Sequence, residues 1–262
     1  MKYGKLITIL TRIVDSGSDA NPDVVIAYHL LDQLESDGCP GIRDVARACS
    51  VSVAAVSRFC RGIGIEDYGE LRELIVDAQA RRAHHLAEAK GYSIKDFETL
   101  LCKTLHEVAQ SVDRDGIRKF CDAIDKSRRI AAFGYLKSQS AAQSFQNQML
   151  FCGKVVHTKN SFSLQREYIE NARDDDLILI FSHAGIYFDY MQPLQLKHRP
   201  TIAMVTGAKV DWRYAQIGIP YRSTLAQETL LYELNFVSSL LFETYWSAKR
   251  RRGFSESENP AR

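Results

Sequence analysis

Along the first third of the chain, apolar residues recur at intervals of three and four, and each run stops at a cluster of small or polar residues. "PDVVIAYHLLDQLES" places Val25, Ile26, His29, Leu30 and Leu34 at helical spacing. Asn21 stands before it as a cap, Pro22 occupies the first turn, and "DGCPG" ends the run. "IRDVARACS" follows with Ile42, Val45 and Ala46 on one face, then a four-residue joint, "CSVS". "SVSVAAVSRFCRGIGI" opens on Ser52, carries small and apolar residues in alternation, and closes at Gly62 and Gly64. "YGELRELIVDAQARRAHHLAEA" predicts a longer, partly solvated helix of the kind that links two domains.

Beyond about Asp96 the pattern changes. "FETLLCKTLHEVAQSV" and "GIRKFCDAIDKS" keep helical spacing, after which short apolar runs alternate with helical stretches. "RIAAFGY", "GKVVHT", "DLILIFSH", "TIAMVT" and "GIPYR" predict strands, separated by helices such as "SAAQSFQNQMLFCG" and "FDYMQPLQLKHR". Strands spaced by helices predict a parallel sheet covered on both faces. The unbroken apolar character of "LILIF" and "TIAMV" fits strands buried on both sides. A long final helix, "QETLLYELNFVSSLLFETYWSAK", precedes "RRRGFSESENPAR", which reads as a frayed tail.

Composition narrows the class. With 45% hydrophobic and 25% charged residues in 262, the chain can bury a globular core and has room for two domains. Its net charge of +2 means that attraction for an anionic partner must come from local clustering. No run approaches the roughly 18 apolar residues of a membrane span. The opening "MKYGKLITILTRIVDSG" is interrupted by Thr11 and Arg12 and is poor as a secretory segment. The six cysteines lack C-x-x-C pairs and histidines at ligand spacing, so the expectation is a cytoplasmic protein with buried, reduced thiols, no metal site and no cofactor.

Two short helices joined by a tight turn, the second with a polar start, form a helix-turn-helix pattern. In this reading Val51, Val56 and Phe59 face inward, which leaves Ser52, Ala54, Ala55, Ser57, Arg58 and Arg61 outside. Small side chains let a helix enter a major groove about 12 Å wide. The Ser52 end can meet a phosphate, and Arg58 and Arg61 can reach phosphates or guanine edges. An ordinary packed helix pair with a solvated side gives the same spacing, and Asp44, Glu66 and Asp67 dilute the charge of Arg43 and Arg47.

"IRDVARACSVSVAAVSRFCRGIGIEDYGELREL" resembles the N-terminal domain of RpiR-type bacterial transcription regulators, with the skeleton "VS…VSRFCR.IG…Y.ELR". The resemblance implies an all-α helix-turn-helix domain joined to an α/β sugar isomerase (SIS) domain, a parallel sheet flanked by helices. The expected division is 1–80 for DNA binding, 81–105 for a linking helical region, 106–250 for effector binding and dimerisation, and 251–262 for a flexible tail. It also implies double-stranded operator DNA as partner, a small-molecule effector such as a phosphosugar, and a homodimer or homotetramer. Ser50 stands where the family often has glycine, and a serine adopts a positive φ only at some cost.

In SIS domains, as the resemblance implies, a glycine–serine turn after the first strand and a serine-rich turn after a later one cradle a phosphate. "FGYLKSQS" matches the first, with Gly134 at the bend and Ser138 at the phosphate serine. Leu136 and Gln139 replace glycines there, and Lys137 is either an electrostatic substitute or simply solvated. "FSHAGIYFDY" resembles the second turn, keeping Ser182, His183 and Gly185. Ala184 and Tyr187 replace a serine and a threonine, and Tyr187, Phe188 and Tyr190 suggest a partly filled pocket. The ligand candidates are therefore Gly134, Ser138, Ser182, His183 and Gly185.

Glu228, Glu233 and His157 are the acid–base candidates for sugar isomerisation, but nothing in the sequence brings them together, and the expectation is no catalytic residue. The rival reading is a phosphosugar isomerase, or its remnant, whose N-terminal helices only oligomerise it. Thr206, after a strand, suits either a pocket mouth or a turn. Leu230, Leu231, Leu234, Val237, Leu240 and Leu241 form a stripe wide enough for subunit packing or for the monomer's own core.

Overall fold

The helical spacing of the first third is realised in α1 (Tyr3–Ser16), α2 (Pro22–Asp32), α3 (Ile42–Ala48), α4 (Val53–Gly62) and α5 (Tyr68–Glu88). The computed structural model describes residues 3–16, 18, 20–36, 38–88, 91–135, 137–191, 193–223 and 228–257. The chain divides into two units, Met1–Gly91 and Tyr92–Arg262. The boundary falls inside the stretch 81–105, with α5 ending before it and α6 (Ile94–Ser111) starting after it.

The first unit has one core. Leu6 and Leu10 of α1, Ile26 and Leu30 of α2, Val45 and Ala46 of α3, Val56 and Phe59 of α4, and Leu71 and Ile75 of α5 are all buried in it. The N-terminal apolar stretch is thus a core helix. Asn21 caps α2 by accepting the Asp23 N–H at 2.9 Å, with Pro22 in the first turn.

The joint between α3 and α4 is fixed from both ends. Ser50 takes φ +53°, alone among the described non-glycine residues in being positive. That conformation lets the Ser50 N–H reach Arg47 O at 3.1 Å and the Val51 N–H reach Ala46 O at 2.9 Å, closing α3. Two residues on, Ser52 Oγ accepts the Ala55 N–H at 3.1 Å and opens α4. Val56, Phe59 and Cys60 turn inward, as helical spacing demands.

In the second unit α6 and α7 (Arg114–Ile124) lead into β1 (Arg129–Gly134), α8 (Lys137–Leu150), β2 (Val156–His157), α9 (Phe162–Glu170) and β3 (Asp176–Phe181). Then follow β4 (Thr201–Thr206), β5 (Ile217–Pro220) and α10 (Leu230–Ser257). The strands form one parallel sheet in the order β2-β1-β3-β4-β5. Every residue of β3 is buried. Successive residues face opposite layers, Leu177, Leu179 and Phe181 joining Phe120, Phe145 and Leu234, while Ile178 and Ile180 join Phe133, Ile169 and Phe188.

The structure departs from the sequence reading in four places. The helix expected over "FDYMQPLQLKHR" is a short 3₁₀ turn, Tyr187–Met191, because Pro193 lacks the N–H that a continuing helix needs. Helix α9 has no counterpart among the expected elements. Helix α10 continues to Ser257, past the start expected for the tail, and 258–262 lie outside the described residues, as does Leu136. Cys102 is exposed, while the other five thiols are buried, burial pushing Cys60 up to about 11.

Ser50 is exposed, so a glycine there removes the left-handed penalty of about 1–2 kcal/mol without altering packing, against an unfolded-state entropy cost of about 0.5–1 kcal/mol. Ser50→Gly is expected to raise stability by up to about 1 kcal/mol, read as a higher urea midpoint at unchanged slope. A lower midpoint would show that the joint gains nothing from a residue suited to that conformation.

Candidate functional site

Each unit carries a candidate site. In the first, the burial of Val56, Phe59 and Cys60 leaves a broad outer face on α4. Ser52, Ala54, Arg58 and Arg61 are exposed there, and Ala55 and Ser57 are half-buried. Among the described residues neither the Arg58 nor the Arg61 guanidinium has a hydrogen-bond or ion-pair partner, whereas Arg47 on α3 is paired with Asp44 at 3.2 Å. The face thus presents two uncompensated cations beside short side chains. Val53, which the sequence reading passed over, is also exposed on the first turn, at 41%.

In the second unit, the strand order reverses between β1 and β3, and in open parallel sheets the crevice beyond such a reversal is where ligands bind. Gly134 ends β1, and Ser138 lies in the first turn of α8 behind it. Ser182, His183 and Gly185 follow β3 directly. The structure therefore brings all five expected ligand residues to this one end of the sheet. Ser138 and Ser182 are buried at 8% and 7% exposure, and neither hydroxyl has a hydrogen-bond partner among the described residues.

Both glycines are required by the backbone. A Cβ on Gly134 would lie 2.3 Å from Ser138 O, so only glycine lets α8 start this close to β1. Gly185 has φ +71°, and a Cβ there would lie 2.5 Å from Lys209 O.

The replacements in the two turns have structural consequences. Gln139 Oε1 accepts from the Gly134 N–H at 3.3 Å and from Gln165 Nε2 at 2.9 Å, and Gln139 Nε2 donates to Thr158 Oγ1 at 2.9 Å. Gln165 Nε2 also meets Gly134 O at 3.0 Å. Tyr187 is buried and donates its hydroxyl to Gln165 Oε1 at 2.6 Å, its ring packed edge-on against Phe162 and Phe188. Tyr187 and Phe188 are thus core residues under the crevice; the Tyr190 side chain lies outside the described residues. The carboxamides of Gln139 and Gln165 have taken over the polar backbone groups of Gly134 at the end of β1, and the Tyr187 phenol anchors Gln165.

On the far side of the crevice stands a group the sequence could not assemble. His183 Nδ1 lies 2.9 Å from Tyr221 Oη and 3.6 Å from Glu233 Oε2. Glu233 is fully buried and accepts from Ser223 Oγ and Thr229 Oγ1, each at 3.0 Å. Burial holds His183 below the ordinary histidine range, against the opposing pull of the Glu233 charge, so its ring is neutral at pH 7. Burial also pushes the Tyr221 phenol far up, with Glu233 adding to the shift. Of the expected acid–base candidates, only Glu233 is here. Glu228 is exposed before α10, and His157 is exposed on edge strand β2. Thr206 proves to be a turn residue, its hydroxyl donating to His183 O at 3.1 Å and accepting the Ala208 N–H at 3.0 Å.

No protein-family model matches the chain. It is 26% identical over 171 residues to the HTH-type transcriptional regulator HexR of Escherichia coli K12, covering 63% of this chain and 58% of that regulator. It is also 26% identical over 151 residues to HexR of Pseudomonas aeruginosa, covering 55% of this chain and 53% of the other. The chain thus spans little more than half the length of these relatives. A protein of Escherichia coli CFT073, solved in complex with a ligand, superposes on 68% of this chain and 98% of its own, with TM-score 0.50 and 13% identity, a likeness of fold. These findings agree with the resemblance to RpiR-type regulators: the chain is alike in sequence to helix-turn-helix regulators, and it joins a helical unit to an α/β unit whose parallel sheet carries glycine–serine turns at its reversal point.

Proposed function

We propose that the chain is a transcription regulator of the cytoplasm in which α4 enters the major groove of double-stranded operator DNA. A phosphosugar bound at the ends of β1 and β3 adjusts its affinity. The observation that carries this reading is the outer face of α4, with Arg58 and Arg61 exposed and uncompensated beside short side chains. Ser52, Ala54, Ala55 and Ser57 permit close approach, and the Ser52 end of the helix offers backbone N–H groups to a phosphate. The HexR regulators, alike in sequence, support the same role. Proximity of Phe236, Leu240, Phe242 and Trp246 to the surface of α10, where they are only partly buried, favours a homodimer or homotetramer.

For the effector, the support is the pair of hydroxyls at the largely buried Ser138 and Ser182, unpartnered among the described residues, with Gly134, His183 and Gly185 shaping the crevice. The ligand complex of the CFT073 protein is consistent with a small molecule bound on this fold. The rival reading, an isomerase, draws on the closeness of His183 to Glu233. Its weakness is that Glu233 is fully buried, with both oxygens held by the Ser223 and Thr229 hydroxyls within the protein, so it presents no exposed base to a sugar in the crevice.

Two measurements test the reading. In a DNA-binding titration over a range of salt, Arg58→Ala and Arg61→Ala are each expected to weaken binding and to lower the log–log salt slope by about 1. Unchanged affinity in both variants would remove α4 from the DNA contact. In a thermal-shift panel of sugar phosphates and amino-sugar phosphates, a ligand is expected to raise the melting temperature of the natural protein but not of Ser138→Ala or Ser182→Ala. Gln139→Ala, which frees the Gly134 N–H, is expected to enlarge that shift. A silent panel for the natural protein and for Gln139→Ala would rule out a phosphosugar as effector.

A further inference from the structure

The exposed valine on α4 is not accounted for by packing. Val56, Phe59 and Cys60 already fill the inner side of the helix, and Val53 remains 41% exposed one residue after the Ser52 cap. At 100° per residue, Val53, Ala54, Ser57, Arg58 and Arg61 fall within one continuous sector of about 140°, with Val53 at its edge, next to the buried Cys60 and about 80° from Arg61. Its setting is rigid. The hydrogen bond from the Ala55 N–H to Ser52 Oγ fixes the first turn, Ser50 and Val51 tie the preceding joint to α3, and a β-branched side chain has one strongly preferred rotamer in a helix. An apolar group held stiffly in water at this place loses little entropy on meeting a surface.

Resting on the reading of α4 as a major-groove helix, we infer that Val53 is a specificity-determining residue that reads the C5-methyl group of a thymine. The methyl is the apolar feature that bases display in the major groove, and the N-terminal residues of such helices are the ones that meet base edges. Arg58 and Arg61, one and two turns further on, supply charge that holds the helix in the groove but is indifferent to a methyl group. Val53 supplies the complementary apolar contact. It contributes sequence discrimination with no change in the number of phosphates neutralised.

The experiment uses the full chain. Duplexes are first enriched from a random-sequence library by the natural protein, and each thymine of the enriched sequence is then replaced in turn by deoxyuridine, which removes only the methyl group. At one thymine position the replacement is expected to weaken binding by the natural protein roughly threefold to tenfold, the size of burying a methyl group. Val53→Ala is expected to bind the thymine duplex more weakly by a similar factor and to be insensitive to deoxyuridine at that position, with its salt slope unchanged. Val53→Thr, which keeps the shape and one methyl, is expected to fall between. Because the side chain is 41% exposed and Val, Ala and Thr differ in helix propensity only by tenths of a kcal/mol, all three proteins should stay folded with melting temperatures within a few degrees of one another. If no thymine position responds, or if Val53→Ala responds as the natural protein does, the assignment of Val53 is overturned while DNA binding stands. If no duplex is enriched and none is bound, the reading of α4 as a DNA helix fails, and this assignment fails with it.

Discussion

Helix α8 starts so close to the end of β1 that Ser138 O would sit 2.3 Å from any Cβ on residue 134, and much of the α/β unit depends on that approach. It sets the first turn of α8 directly over the sheet's reversal point and brings Ser138 into the crevice. It also lets the Gln139 carboxamide fold back onto the Gly134 N–H. From there Ala141, Ala142, Phe145 and Met149 of α8 are buried against β1, β3 and α10 in a single cluster. A substituent at 134 would have to move α8, and α8 is packed along its whole length, so the constraint at one glycine is felt throughout the layer.

The first unit depends on a different kind of constraint, a backbone one. A left-handed residue at 50 and a hydroxyl cap at 52 close one helix and open the next within four residues. Helical geometry then decides which side chains are seen from outside. With Val56, Phe59 and Cys60 committed to the core, the opposite sector of α4 must face solvent, and its short and cationic residues become a surface. The chain's net charge of +2 contributes little to attraction for an anion; the lack of carboxylate partners for Arg58 and Arg61 among the described residues contributes more.

Much of this was legible because it is local. The helix-turn-helix joint follows from cap chemistry and spacing over about twenty residues, and β1, β3 and β4 from apolar runs that only strands buried on both faces sustain. The convergence of Gly134, Ser138, Ser182, His183 and Gly185 followed from the resemblance, and the strand order supplies its physical reason. Less legible were contacts between residues remote in sequence. Tyr221 meets His183 across 38 residues, and no period or composition marks such a pair. Gln165 is polar yet buried because it satisfies Gly134 O, Gln139 and Tyr187 at once, which hides α9 from any hydrophobic pattern. Gln139, Ala184 and Tyr187 were visible as departures from the family pattern, but only the structure shows that Gln139 occupies the Gly134 N–H and that Tyr187 holds Gln165 beside it.

That occupation bears on what a ligand at the crevice can achieve. An anion arriving at the end of β1 meets a Gly134 N–H that already has an acceptor in Gln139, so the net gain from that contact is the difference between a charge-assisted hydrogen bond and a neutral one. Roughly half of the contact's strength is thereby forfeited, because charge-assisted bonds are about twice as strong as neutral ones. The hydroxyls of Ser138 and Ser182 carry no such prior commitment among the described residues and retain their full contribution. A regulator is governed by how differently its states bind the effector, and total affinity does not enter that difference. On the proposed function, a carboxamide that holds the Gly134 N–H without ligand and yields it to an anion would make the two states chemically distinct, which would give an effector something to act on even as it weakens the binding.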